Sequence, residues 1–599
     1  MADEKRGWKQ FQNVSFDSKN FSKRVKKAEG ATIRHAHKFI LTRLDSIRSA
    51  RRHIIIWLLL VGVIISAVGL QFMWFRQGYQ AIAAADGGTY AEASIGPIDT
   101  LNPLFASTNA EVASSRLLFS SLFTHDKTGA LHGDLATNMS VDDSGKVYTI
   151  KVRPDARWHD GQLLTAGDVA FTVDLMKNPQ TRSSLRVNWK DVTVKAIDDT
   201  TVQFTLPAVY ASFPQALTFS VLPKHILKDV APGAIRENAY SRAPIGSGPF
   251  VFRLLQPAAS ANGTHKIVHM AANAGYYQGT PRLGRFEVHA YDSQENLLQA
   301  LRTGEVSAAA DVQGVIARRV DTHNYKVTTQ PIDSGVYALL NNNSPILKDK
   351  TVRRALQVGT DTKAIRTALG ADIPALSLPF INGQITGADV PQAPGYDEKK
   401  AAALLDEAGW KLAGNVRKKD GKDLAFAVTT TKDPQYEKAL ETLVGQWRKL
   451  GIVVSTNVVD PKDPSVNFVQ NVLQARNYDV LLYELVIGAD PDVYAYWHSS
   501  QIGASGYNFA NYANVAADAA LASARSRLEP ELRNAKYKAF ANDWIADAPA
   551  IGLYQSTVNY VSNVNVRSVD ATAKLVSSSD RFSNVLYWSV NERPVYKTP

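Results

Sequence analysis

The run IIIWLLLVGVIISAVGLQFMWF, Ile54 to Phe75, holds 22 positions without a charged side chain. A helix that is apolar all round has two homes, the middle of a large core or a bilayer, where it satisfies its own backbone bonds. As a helix the run reaches about 33 Å, enough for a hydrocarbon layer of roughly 30 Å. Trp57 and Trp74 stand near its ends, where amphipathic rings favour the membrane interface. Arg51 and Arg52 immediately precede it, so the positive-inside rule puts the N-terminal side in the cytoplasm and the rest of the chain outside. A cleaved signal peptide is the competing reading. Against it stand an apolar run longer than a signal h-region and a far longer basic leader.

The anchor also explains the charge. The chain carries 67 Lys and Arg against 56 Asp and Glu, a balance of +11. Residues 1–53 hold 14 and 5 of these, which leaves 53 against 51 for everything that follows. The main body is nearly neutral, so no basic groove for nucleic acid is expected. Within the tail, Ile33, His37, Ile40, Leu44 and Ile47 recur at helical spacing. A helix lying on anionic lipid and a solvated basic leader fit that pattern equally. Cys is absent, which removes disulfides, thiol nucleophiles and thiol-linked lipid anchors.

Beyond the anchor, residues 76–87 read as a linker that reaches about 40 Å when extended. The folded part is then tethered close to the bilayer. Gly87–Pro103 reads as a short strand ending in a Pro/Asp/Asn loop, and the alternating runs Val147–Val152 (after the turn Asp143-Ser144-Gly145) and Thr201–Leu206 predict further strands. Helical spacing predicts helices over Ala166–Met176, Glu295–Thr303, Val352–Ala368, Glu398–Ala408 and Tyr436–Leu450. Strand and helix signals alternate without a fixed period, which favours α/β lobes over a solenoid.

No motif announces an enzyme. GxxxxGK[ST], HExxH and GxSxG are all missing. His265 and His269 have the i, i+4 spacing of a helical metal pair, but KIVHM reads as strand, where that spacing separates them by about 13 Å. No catalytic residue, metal site or cofactor is therefore expected. The stretch RPDARWHDGQLLTAGDVAF poses the sharpest question, because Trp158-His159-Asp160-Gly161 resembles a reactive cluster. One local unit accounts for it. Thr165 and Asp168 form a capping-box-like start to the next helix, Gly161 permits the preceding turn, Trp158 packs beneath, and His159 and Asp160 bond turn backbone.

The longer run GALHGDLATNMSVDDSGKVYTIKVRPDARWHDGQLLTAGDVAFTVDLM resembles the signature of family 5 extracellular solute-binding proteins of ABC importers, the oligopeptide-, dipeptide- and nickel-binding group. APIGSGPFVF, ENLLQALRTGEVSAA (with Ser307 in place of the usual acid), LLNNNSPILKDKTVRRALQVGTDTKAI, GYDEKKAAALLDEAGW, LGIVVSTNVVD, DPDVYAYW, GYNFANYANVAADAAL and DAPAIGLYQ follow in family order from about Gly87 to the C-terminus. The resemblance implies an α/β, two-lobed periplasmic-binding-protein-like clamp of type II behind one transmembrane helix. Lobe I would span 88–335 with an inserted subdomain near 115–225, lobe II 336–487, and the return to lobe I 488–599. It further implies a non-enzymatic role, capturing a solute, peptides before others, for a permease and its ATPase subunits. A ligand sensor built on the same clamp, or a binder of metal chelates or sugars, is the alternative.

In the family, peptide binders often hold the free amine with an aspartate shortly before the Asp-Pro region. Here the segment is YELVIGADPDVYAYW, and the acid expected near Ile487 is missing. Asp490 or Glu484 are the acids left to substitute, and Asp490 also reads as a turn residue. The other candidate ligand contacts are Tyr337 and Asn341, where the chain should cross between lobes, and Trp497, Tyr507 and Asn508 after the return crossing. Aromatic walls and amides of this kind suit peptide backbone, while core packing is the competing role for Trp497 and Tyr507. Asn102, beside Pro103, reads as a turn former.

Overall fold

The computed structural model describes residues 22–23, 26–27, 30, 44–260, 263–370, 373–461, 463 and 466–596. The tail pattern through Ile33, His37 and Ile40 lies outside them. Two compact units separate, one comprising 1–83 with 593–599 and the other 84–592.

In the first unit a single helix runs Leu44–Tyr79. Within Arg51–Phe75 an 18-residue window has a mean hydropathy of 2.6 and no buried residue. Trp57 and Trp74 are 66% and 77% exposed. The expected free linker is more ordered than that. The helix continues to Tyr79 and the strand Gln80–Ala85 pairs with the strand Asn591–Tyr596.

The second unit is organised by one ten-stranded sheet. Its order is Val453–Val459, Ala425–Thr431, Val480–Val486, Tyr325–Leu340, Ala550–Asn563, Ala308–Ala309, Thr89–Ile95, Arg285–Tyr291, Gly263–Ala272 and Phe250–Ser260. The two central strands, Tyr325–Leu340 and Ala550–Asn563, are antiparallel and long enough to belong to both halves. Their register slips between Pro331 and Gly335 and again between Val336 and Tyr337. Bulges of this kind bend and twist a strand pair.

Period-2 alternation divides the core around that pair. Tyr337 and Leu339 join one cluster with Leu481, Trp497, Phe540 and Trp544. Val336, Ala338 and Leu340 join another with Leu356, Leu443 and Trp447. Those two clusters sandwich the sheet of lobe II. Lobe I has Tyr90, Phe286, Val288 and Trp588 on one face and Ala93, Leu298, Leu301 and Val561 on the other. The inserted region forms its own four-stranded sheet, Ala136–Val141, Val147–Val152, Thr201–Thr205 and Thr193–Asp198, against the helix Ala166–Lys177. It has no separate core, because Ile150, Val173, Phe204 and Leu222 pack in the same cluster as Tyr90 and Trp588.

The clusters move one expected boundary. A return to lobe I at 488 does not hold, since Trp497, Phe509, Leu521, Tyr537 and Trp544 still pack with Tyr337. The return occurs inside Ala550–Asn563. Ile551, Leu553 and Tyr554 belong to lobe II, and Tyr560 belongs to lobe I. Beyond it, Arg581 is tied to lobe I by the fully buried Glu92, which also accepts from the Tyr560 hydroxyl at 2.8 Å.

Candidate functional site

The Trp-His-Asp-Gly turn is scaffolding in atomic detail. His159 Nδ1 accepts from the Gly246 amide at 3.2 Å and Nε2 donates to the Gly248 carbonyl at 3.0 Å. Both ring nitrogens are thereby used and the neutral tautomer is fixed. Burial pushes its pKa down to about 4. Trp158 is buried against the His225 ring, and Asp160 meets His225 Nε2 at 2.8 Å. Asp168 accepts from the Thr165 amide at 2.8 Å and from the Lys224 amide at 2.8 Å, so it joins two helix starts. The His159 ring and the Asp160 and Asp168 carboxylates are all engaged within this unit.

The six residues expected at the ligand lie in three different environments. Tyr337 is fully buried, donates to the Leu378 carbonyl at 3.0 Å and meets Trp497 edge-on. Trp497 is itself fully buried between Tyr337 and Trp544. Asn508 closes a turn, donating to the Tyr512 and His498 carbonyls. Asn341 donates to the Tyr478 carbonyl and accepts from Asn511. These four side chains shape lobe II, and alternation along the strand is what turns Tyr337 into the core. Tyr507 is 56% exposed. Asn102, fully buried, bonds the Leu104 amide and Ser241, as a turn former does.

Asp490 alone sits at a boundary between lobes. Arg533 holds it through both terminal nitrogens, at 2.7 and 3.0 Å. Ser212 of the inserted region donates to it at 2.7 Å and accepts from Arg533 at 3.0 Å. Close by, Arg525 pairs with Asp492 at 2.9 Å, stacks between Tyr210 and Tyr494, and its carbonyl accepts from the Ala211 amide. A further tie joins Gln313 of lobe I to Asp433 of lobe II at 3.0 Å. Both acids of the Asp-Pro-Asp segment are thus neutralised by arginine. Ile487, where an amine-binding acid was expected, is buried in the lobe II cluster. Glu484 accepts from the Tyr436 hydroxyl.

The acid that sequence reading passed over is Asp333, in the crossing strand. Its backbone binds both lobes: the amide donates to Val576 at 3.1 Å, and the carbonyl accepts from Ile487 and Gly488 at 3.0 and 2.9 Å. Its carboxyl is buried, and Oδ1 has no hydrogen-bond partner. Burial pushes its pKa up to about 6, against the pull of the Lys574 and His125 charges. His125 in turn meets Asp580 at 3.4 Å and Gln215 at 3.1 Å, in the wall of a cavity of about 250 Å³. On another side of the crossing strands, a larger and more apolar cavity of about 560 Å³ opens between lobes. Val327, Thr329, Thr557 and Asn559 line it with Leu369 and Pro434. Nothing in the sequence QPIDSGVY marks Asp333, because Asp-Ser-Gly reads as an ordinary turn.

Two lobes joined by a bulged strand pair, with polar ties across the gap, describe a clamp. Residues 130–506 match the bacterial extracellular solute-binding proteins, family 5. The chain belongs to this family. The oligopeptide-binding protein AppA of Bacillus subtilis is 29% identical over 483 residues, 78% of this chain and 86% of its own. A putative ABC transporter peptide-binding protein of Brucella ovis is 27% identical over 420 residues, 69% of this chain and 76% of its own. The solved structure of B. subtilis AppA with a nonapeptide superposes with a TM-score of 0.68 at 26% identity, covering 85% of this chain and all of that one. NikZ from Campylobacter jejuni with Ni(L-His) gives 0.69 at 26% identity, covering 84% of this chain and 99% of that one. The fold is the two-lobed α/β clamp of type II, and the chain is a substrate-binding protein of the ABC-transporter class. Family members bind solutes and are not enzymes.

Proposed function

We propose that this protein captures peptides between its lobes at the outer face of the membrane and delivers them to a permease driven by separate ATPase subunits. The likeness across both lobes to a clamp holding a nonapeptide carries this reading. The helix Leu44–Tyr79 serves as an uncleaved single-pass anchor, with the basic tail in the cytoplasm. Closure needs a ligand that binds the closed form better than the open one, and no covalent step.

The peptide ammonium falls to Asp333 rather than to Asp490 or Asp492. Those two already hold guanidinium groups, whereas Asp333 has an unbonded carboxyl oxygen in a water-poor place. A charge pair is strongest where water is excluded. Tyr507 is the one expected aromatic that stands exposed enough to contact solute.

The test uses the full chain in lipid nanodiscs. Thermal unfolding is recorded with pooled di- to decapeptides, their N-acetylated forms, oligosaccharides and nickel–histidine. A ligand at 100 times its dissociation constant adds about 2.7 kcal/mol of stability. A shift with free peptides that acetylation abolishes supports the whole proposal. A shift that survives acetylation keeps the peptide reading and removes Asp333. A shift with nickel–histidine or sugar alone removes peptides and keeps the clamp. Protease protection of an N-terminal epitope in intact cells supports the anchor topology; its cleavage from outside overturns it.

A further inference from the structure

Lobe I carries a side-chain cluster that lines neither of these two cavities. The strands Gly263–Ala272 and Arg285–Tyr291 pair antiparallel, with Ile267 opposite His289 and His269 opposite Glu287. His265, His269, Glu287, His289 and Tyr291 therefore project from one face. Glu305 joins them from the turn after the helix Gln294–Thr303, held there by its amide bond to the Ala300 carbonyl. The pairing of His265 with His269 suggested by their spacing does not occur. His269 turns instead to Glu287 at 2.9 Å and Gln256 at 3.0 Å.

What His265 meets is His289. One ligand atom each from His265, His289 and Glu305 lie within 4.8 Å of one another. His265 Nε2 is 3.1 Å and His289 Nδ1 3.7 Å from the same oxygen, Glu305 Oε1. Donor atoms around a tetrahedral zinc ion stand about 3.3 Å apart for bonds of roughly 2.05 Å. The two histidine side chains are only 4% and 5% exposed. Both nitrogens of His265, Nδ1 of His289 and the Tyr291 hydroxyl nevertheless make no well-formed hydrogen bond, and Glu305, 3.1 Å from His265 Nε2, is the acceptor beside them. Leaving such groups unbonded costs about 1–3 kcal/mol each. Tyr291 stacks on His265 with ring centroids 4.7 Å apart, so its hydroxyl belongs to the same cluster.

We infer that His265, His289 and Glu305 bind a divalent transition-metal ion of the zinc type, with Glu287 as a positioning residue. Neutral imidazoles and one carboxylate suit such an ion rather than Ca²⁺ or Mg²⁺. Glu287 Oε2 lies 3.3 Å from His289 Nε2. It takes the proton on that side and turns the Nδ1 lone pair toward the ion, as carboxylates behind metal-bound histidines do. The site ties two strands to the turn after a helix, so the bound ion stiffens lobe I without touching the solute cleft.

The test uses tag-free full chain in detergent micelles, stripped with chelator, titrated with Zn²⁺ against a chromophoric competitor and with Co²⁺ by visible absorption. The expected result is one ion per chain with a tetrahedral-type Co²⁺ spectrum. His289→Gln and Glu305→Gln should abolish it, Glu287→Gln should weaken it about 10–100-fold, and His323→Gln, in an exposed turn, should leave it unchanged. Glu305 is 29% exposed, so its variant keeps the fold, which unfolding of the stripped proteins checks. Absence of stoichiometric binding at micromolar metal overturns the inference. So does binding that persists unaltered in both His289→Gln and Glu305→Gln.

Discussion

Two buried titratable groups give opposite pH signatures. The Asp333 carboxyl titrates near 6 in the fold, against about 3.9 when unfolded. The native state keeps this proton to higher pH, so the contribution of Asp333 to stability falls as pH rises from about 4 to 6 and is flat above. Asp333→Asn removes that penalty. Its stability relative to wild type should improve between pH 4.5 and 7 by on the order of 2 kcal/mol, read from urea midpoints. A constant difference would mean that the carboxyl titrates normally. The same variant should lose affinity for free peptides but not for N-acetylated ones. Wild-type affinity for free peptides should fall below about pH 6, where the acid must first shed its proton. His159 runs the other way. With a folded pKa near 4 and an unfolded one near 6.5, its contribution is complete above 6.5 and is lost as pH falls towards 4. The advantage of wild type over His159→Gln should therefore shrink by up to about 3 kcal/mol across that window, and an advantage that stays level would refute the burial argument.

At the scale of elements, the bonds of His159 explain a second motif, the Gly-Ser-Gly-Pro of APIGSGPF. A Cβ on Gly246 would stand 1.9 Å from the Leu118 carbonyl oxygen, and one on Gly248 2.6 Å from that of Leu117. The helix Asn109–Leu118 and this strand entry approach so closely that only glycine fits. Gly246→Ala should cost several kcal/mol, in the range of a severe core defect, whereas Gly161→Ala, in open space at φ +92°, meets only backbone strain. Equal costs at the two positions would show that the backbone at 246 moves aside. Elements with a strong local period were legible in the sequence: Ala166–Lys177, Gln294–Thr303, Glu398–Glu407, Pro434–Lys449 and Val147–Val152 differ from expectation by two residues at most. The helix expected over Val352–Ala368 breaks at Gly359-Thr360-Asp361, because Asp361 caps a new helix through the Ala364 amide. The site was far less legible. Whether Tyr337 faces cleft or core depends on the register of a bulged strand, and the arginine partner of Asp490 and the histidine partner of His265 lie 43 and 24 residues away in sequence. Spacing within one element carries no trace of such pairs.

For the molecule as a whole, the decisive bond is small. Arg533 and Asp490 both belong to lobe II, so their ion pair alone does not hold the lobes together. Ser212 does, since its hydroxyl donates to Asp490 and accepts from Arg533 across the boundary. Hydrogen bonds to charged groups contribute about 1.5–3 kcal/mol each, with part of that recovered by water when the lobes part. Ser212→Ala removes these two cross-lobe bonds and leaves the ion pair, the Ala211–Arg525 bond and the Gln313–Asp433 tie in place. If the closed form is the one that holds solute, the variant lowers its population, and apparent affinity drops by the same fraction. Peptide dissociation constants should rise roughly 5–30-fold, matching a loss of about 1–2 kcal/mol. The change should lie in the off-rate, with thermal unfolding of the ligand-free protein little moved. Stopped-flow release of a fluorescent peptide measures it directly. Tighter binding in Ser212→Ala would assign the bond the reverse role: a latch that keeps the ligand-free clamp shut, which solute must break before it can enter.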